Sequence, residues 1–260
     1  GVKLPVVFSY HGLYNPPTPS RKFIAPVFNG LPIWIYKHLA KKEVSVSDDS
    51  GRQLITRGVP PSKVVTVYNG IKDICTDTKV EMNNDVVNIV SCSRIDAIKG
   101  LDVLLDALAI LRDKGLMFHY YMIGEGPELD SLKKHCASLN LNDYVTFASY
   151  QTNIAEWLNG ADIFTITSYQ ENHSIAVLEA MRAGKAIVAT NVGGNGESIR
   201  DSYEGYLVPA GDTDALADAL EKQIKNGDLR LRFGDMARKR FVNLFTEEVM
   251  MKSLVKVLKS

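Results

Sequence analysis

The chain has 260 residues, 45% of them hydrophobic and 23% charged, with 30 Lys/Arg balanced by 30 Asp/Glu. This is the composition of an ordinary globular protein with one large or two small cores, and zero net charge argues against a general nucleic-acid binder. Cys75, Cys92 and Cys136 fall in no paired or metal-ligand spacing, which points away from a disulfide framework or a zinc site and toward a reducing cytoplasm.

Residues 1–80 are basic, with 11 Lys/Arg against 5 Asp/Glu. In this part "LPVVFSYHG", "KEVSVS" and "SKVVTVYNG" read as strands, "GRQLITRGV" as a helix, and Asn69-Gly70 as a turn. The aromatic, lysine-flanked "KFIAPVFNGLPIWIYKHLA" fits either an interfacial surface that reaches a lipid-linked acceptor or a face packed on other protein. The polar stretch that follows Asn69-Gly70 reads as a linker, so the expected units are 1–74, a linker at 75–85, a second domain at 86–244 and a terminal helix at 245–260.

From residue 86 strand and helix patterns alternate. "VVNIVSCS" is a short β-branched run, and Leu101, Leu104, Leu105, Leu108 and Leu111 then recur at helical spacing up to Gly115. "FHYYMIG", "YVTFAS", "ADIFTITS" and "AIVATNVGG" read as further strands, separated by helical segments near 128–139, 154–159 and 175–183. Such alternation requires crossovers, hence an α/β fold with a doubly wound parallel sheet. Helical periodicity returns from Asp212 in two or three amphipathic stretches.

The stretch "ENHSIAVLEAMRAGK" concentrates the chemistry. Ser174 is a good N-cap, and the amides of Ile175, Ala176 and Val177 would offer an anion site at the carboxyl end of the preceding strand. Glu179, one turn inside, suits a ribose diol, and Glu171 in the loop suits a sugar hydroxyl. Arg94 and Lys99 in "SRIDAIKG" lie at another strand end and supply charge for a diphosphate. The constellation reads as ribose, diphosphate, sugar. Gly124 and Gly126 of "GEGPE" offer either a bare turn or a close approach to ligand, and His173 either lines the loop or touches the sugar.

With "IGEGPELDSL", "VTFASY" and "EGYLVPAGDTDALADAL", these segments appear in the order of the retaining glycosyltransferases of family 4, which the chain resembles from Val86 to Leu220. The resemblance implies a GT-B fold: a doubly wound, Rossmann-like C-terminal domain facing a partial Rossmann-like N-terminal domain. It implies transfer of a hexosyl or N-acetylhexosaminyl group, with retention, from a UDP- or GDP-sugar to a saccharide or lipid-linked acceptor in cell-surface polysaccharide or glycolipid assembly. Arg94 and Lys99 would bind the diphosphate, Glu179 the ribose and Glu171 the sugar, while "VVFSYHG" places His11 at the sugar site. No resident cofactor or metal is expected, nor a nucleic-acid partner; the location expected is cytoplasmic, with peripheral contact at the cytoplasmic face of a membrane through the N-terminal part left open as one of the two readings of its aromatic stretch. Thr167, Lys72 and Asn172 depart from the family's usual residues, and roughly a hundred N-terminal residues of the pattern are not visible. The alternatives are a nucleotide-sugar-binding fragment without turnover, and a sugar-nucleotide epimerase, which would place acid and base residues in the cleft.

Overall fold

The computed structural model describes residues 7–10, 34, 38, 40–74 and 76–260. His11, Cys75 and most of the aromatic segment at 22–40 lie outside the described residues. Two parallel sheets organise the chain. The smaller has the order β1-β2-β3, formed by Val7–Tyr10, Lys42–Ser45 and Val64–Thr66. Helix α1 (Asp48–Thr56) starts three residues before the "GRQLITRGV" reading, because Ser47 takes the cap and its Oγ accepts the Ser50 amide.

The larger sheet runs β6-β5-β4-β7-β8-β9, all parallel. Its strands are β4 (Val87–Cys92), β5 (Phe118–Ile123), β6 (Val145–Phe147), β7 (Ile163–Ile166), β8 (Ala186–Thr190) and β9 (Gly205–Val208). Helices α2 (Leu101–Asp113), α3 (Leu129–Ser138), α4 (Ile154–Gly160), α5 (Ile175–Arg182) and the short α6 (Asn195–Ser198) connect them. Then come α7 (Thr213–Lys225), α8 (Gly227–Leu244) and α9 (Glu247–Lys259), each capped by a side chain: Asp212, Asn226 and Thr246.

The chain reverses direction across the sheet between β4 and β7. Ligands of such sheets bind in the crevice outside the carboxyl ends of the strands at that switch point. The core lies on both faces: Leu104, Leu105, Leu108 and Leu111 of α2 pack with Ile89 and Tyr120, while Leu178 and Met181 of α5 pack with Phe164 and Phe241. The α2 leucines are the positions that the helical spacing singles out. No described helix is long and apolar enough to cross a membrane.

Candidate donor site at the switch point

Past β4 the chain runs through Ser93 and Arg94 into a single 3-10 turn at Ala97–Lys99. Past β7 it runs through Thr167 and Ser168 to Glu171 and the cap of α5. The two loops are stitched together: Thr167 Oγ1 donates to the Lys99 carbonyl at 2.9 Å, and the Tyr169 amide to the Ile98 carbonyl at 2.8 Å. Thr167, one of the residues that depart from the family pattern, thus ties the two loops through its side-chain hydroxyl.

Between these loops lies a cavity of about 350 Å³ lined by Lys99, Glu171, His173, Ser174, Ile175 and Ala176, with Val46 and Asn69 from the side of the smaller sheet. A second cavity, of about 520 Å³, shares Cys92 and Ser93 with it and is lined by Arg94, Glu125, Tyr150, Gln151 and Thr152. The expected residues thus converge on one crevice but divide between two compartments, Lys99 with Glu171 and Arg94 beyond Ser93. Glu179 lines neither wall; it lies close enough to Cys92, which borders both, for its charge to add to the burial that pushes that thiol up to about 12. Burial also raises the Glu179 carboxyl above the usual range, with Arg182 opposing.

Two features depart from the sequence expectation. Ser174 Oγ accepts the Val177 amide at 3.5 Å, so this amide serves the cap, leaving those of Ile175 and Ala176 beside the cavity. Lys99 and Glu171 meet directly: Lys99 Nζ lies 2.6 Å from Glu171 Oε1, which also accepts from Ser168 Oγ at 2.7 Å. Residue types and spacing gave no sign of this partnership between loops 72 positions apart. Arg94 is 69% exposed and pairs with Asp96 at 3.6 Å.

The Glu171 loop is packed against backbone. A Cβ at Gly193 (φ +50°) would fall 1.6 Å from the Glu171 carbonyl oxygen, and the Gly194 amide donates to the Asn172 carbonyl at 3.0 Å. Gly124 and Gly126 serve a similar end, since Cβ atoms there would lie 1.9 and 2.0 Å from the Ser93 and Ile95 carbonyl oxygens. Their first role is to let the loop after β5 lie on the loop that carries Arg94.

Sequence reading did not assign a role to Asn69, beyond its Asn-Gly turn, or to Ser168. Asn69 Nδ2 donates to the His173 carbonyl at 3.0 Å. His173 is 4% exposed, and its burial pushes the imidazole down to about 4, so it is neutral at physiological pH. Among the described residues no group of three or more His, Cys, Asp or Glu side chains is arranged to hold a metal ion.

Comparison with known proteins agrees with this fold. The family model of glycosyl transferases group 1 matches residues 76–240, and that of glycosyltransferase family 4 matches residues 2–73. The chain belongs to the group 1 glycosyl transferases, with the GT-B fold. It is 33% identical over 127 residues to N-acetyl-alpha-D-glucosaminyl L-malate synthase of Bacillus anthracis, covering 49% of this chain and 33% of that protein. It is 27% identical over 200 residues to the lipopolysaccharide core biosynthesis glycosyltransferase LpsE of Rhizobium meliloti, covering 76% and 58%. The HepE protein of Anabaena, solved with UDP and glucose, superposes with a TM-score of 0.84 at 20% identity, covering 98% of this chain and 72% of that one. The chain thus spans a third to somewhat over half the length of these two curated relatives.

Proposed function

We propose that the protein transfers a hexosyl or N-acetylhexosaminyl group, with retention, from a UDP- or GDP-sugar to a saccharide or lipid-linked acceptor in cell-surface polysaccharide or glycolipid assembly. The observation that carries this reading is the Lys99–Glu171 pair at 2.6 Å beside the Ile175 and Ala176 amides. One crevice holds a cation and helix amides for a diphosphate, and a carboxylate for hydroxyls. The relatives' activities support it: one is an N-acetyl-glucosaminyl malate synthase and the other a glycosyltransferase of lipopolysaccharide core biosynthesis.

In this scheme the compartment beside Tyr150, Gln151 and Thr152 takes the base, Glu179 the ribose, and Arg94 and Lys99 the diphosphate. As the bond from the anomeric carbon to the diphosphate oxygen breaks, negative charge grows on the leaving group. Fixed cations and amides stabilise that charge more than they stabilise the ground state. Glu171 holds the sugar. The domains of this enzyme follow the division at 75–85, with contact to a membrane through the N-terminal part.

Calorimetry tests the reading. UDP or GDP should bind at least about tenfold more tightly than its nucleoside, and the Arg94→Ala, Lys99→Ala pair should remove most of that gain, each charged hydrogen bond contributing roughly 1.5–3 kcal/mol. The Glu171→Gln variant should keep diphosphate binding and lose the extra affinity conferred by the sugar. Equal affinity of the parent for nucleoside and diphosphate would overturn the proposal.

A further inference from the structure

The loop that carries Glu171 is anchored two residues on, where His173 enters an aromatic cluster. Tyr68, from the segment after β3, stacks on the imidazole with centroids 5.2 Å apart and planes 24° apart. Phe245, between α8 and α9, closes the cluster, 5.4 Å from His173 and 5.7 Å from Tyr68. Imidazole Nε2 lies 3.2 Å from Ser198 Oγ, whereas Nδ1 is buried with no hydrogen-bond partner. A buried nitrogen left unpaired weakens the fold, so the stack is better explained by where it places the loop than by hydrogen bonding.

We propose that Tyr68 is a positioning residue for Glu171, acting through His173. This rests on the reading that Glu171 holds the donor sugar. Lys99 and Ser168 orient the Glu171 carboxylate, and the turn at Gly193 and Gly194 backs the Glu171 and Asn172 carbonyls. These contacts set orientation and depth at one end of the loop. Seating of the His173 ring against both Tyr68 and Phe245 fixes the other end, so loss of the Tyr68 ring frees the loop to slide along the cavity wall. A shift of about 1 Å in such a group can cost a hundredfold in a reaction.

Ring and hydroxyl are separable. Tyr68 Oη lies 3.5 Å from Asp48 Oδ2, and burial together with the Asp48 and Glu197 carboxylates pushes the phenol up to about 12, so it stays protonated. Tyr68→Phe removes the hydroxyl and keeps the stack; Tyr68→Leu removes the stack. Tyr68 does not line the donor cavity, so neither change deletes a ligand contact.

The test is the ratio of affinities for nucleotide-sugar and nucleoside diphosphate, measured by calorimetry on the full chain with UDP, GDP and their glucose and N-acetylglucosamine derivatives. Tyr68→Phe should keep the parent's ratio within about twofold, and Tyr68→Leu should reduce it about tenfold with diphosphate affinity unchanged. Tyr68→Met, which keeps more of the side-chain volume than leucine but has no aromatic face, should lower the ratio in the same direction by about threefold and serves if the leucine variant does not fold. An unchanged ratio in Tyr68→Leu, or in Tyr68→Met where leucine is not tolerated, overturns the proposal, as does equal loss for the two ligands. Equal damage from phenylalanine and leucine overturns it too, because the hydroxyl would then be responsible. A parent that binds diphosphate with no gain from the sugar instead refutes the assignment of Glu171, and the inference falls with it.

Discussion

Burial decides the charge of several residues that the sequence shows only as acids and bases. Glu43, in β2, is fully buried, neither carboxylate oxygen has a hydrogen-bond partner, and burial pushes its carboxyl up to about 7, with Lys63 opposing. The folded state therefore favours the protonated form, whose stabilisation is complete below the ordinary value of 4.5 and is lost as pH rises through about 7. His173 acts in the opposite sense: its imidazole is lowered from 6.5 to about 4, so its contribution is present above 6.5 and lost as pH falls toward 4. The two partly cancel in the parent, and the difference between the parent and Glu43→Gln isolates the glutamate. Between pH 4.5 and 8 the parent should lose about 3 kcal/mol relative to the variant, each pKa unit being worth about 1.4 kcal/mol. Urea denaturation at both pH values measures it, and a constant difference would show that the carboxylate finds solvation or a partner in the folded state.

At the level of elements, what depends on local chemistry was legible in advance and what depends on close approach of distant segments was not. The leucines of α2 and the cap at Ser174 announced themselves through helical spacing and a short hydroxyl side chain. Strand β9 escaped because "GYLV" is a four-residue run with no alternation, paired in register with β8 only after folding. The start of α1 was missed because two aspartates and a serine preceding it read as loop, yet acidic side chains in a first turn favour the helix dipole. Candidate site residues could be named, but their pairing depends on how the loops after β4 and β7 fold onto each other. Gly193 makes the same point: the sequence places it at the end of the strand run "AIVATNVGG", but β8 ends at Thr190 and the requirement for glycine comes from the Glu171 carbonyl 1.6 Å from any Cβ placed there. Gly193→Ala must move one backbone against the other and strain a positive φ, so it should cost roughly 2–4 kcal/mol and displace Glu171. A melting temperature within a degree of the parent's, with sugar affinity intact, would mean that the turn yields more easily than this packing implies.

Across the whole molecule, several contacts among the described residues join the two sheets, some of them near the loop that carries Glu171. Glu197, next to the last residue of α6, accepts the amides of Asp48 and Asp49 at 2.7 and 2.9 Å, so one carboxylate caps the first turn of α1 from across the cleft. Arg240 holds that carboxylate's own backbone, donating to the Glu197 and Ser198 carbonyls at 2.8 Å each. Farther along, Asp73 takes a bidentate pair from Arg238 at 2.6 and 2.8 Å, and Val257 of α9 packs on Val44 of β2 and on Val67, just past β3. These ties influence whether the smaller sheet unfolds with the rest or ahead of it. Glu197→Ala removes the two charge-assisted bonds that make this cap, a loss of roughly 2–3 kcal/mol concentrated on α1 and its sheet. Glu197→Gln keeps an acceptor oxygen without the charge and should fall between parent and alanine. Hydrogen exchange followed by mass spectrometry reads the two regions separately: in the alanine variant, peptides from residues 42–66 should exchange faster while those from β4 and α2 keep the parent's protection. Uniform acceleration would indicate that the sheets unfold as one unit whatever the state of the cap, and no change at all would show that α1 is held by its own packing rather than by Glu197.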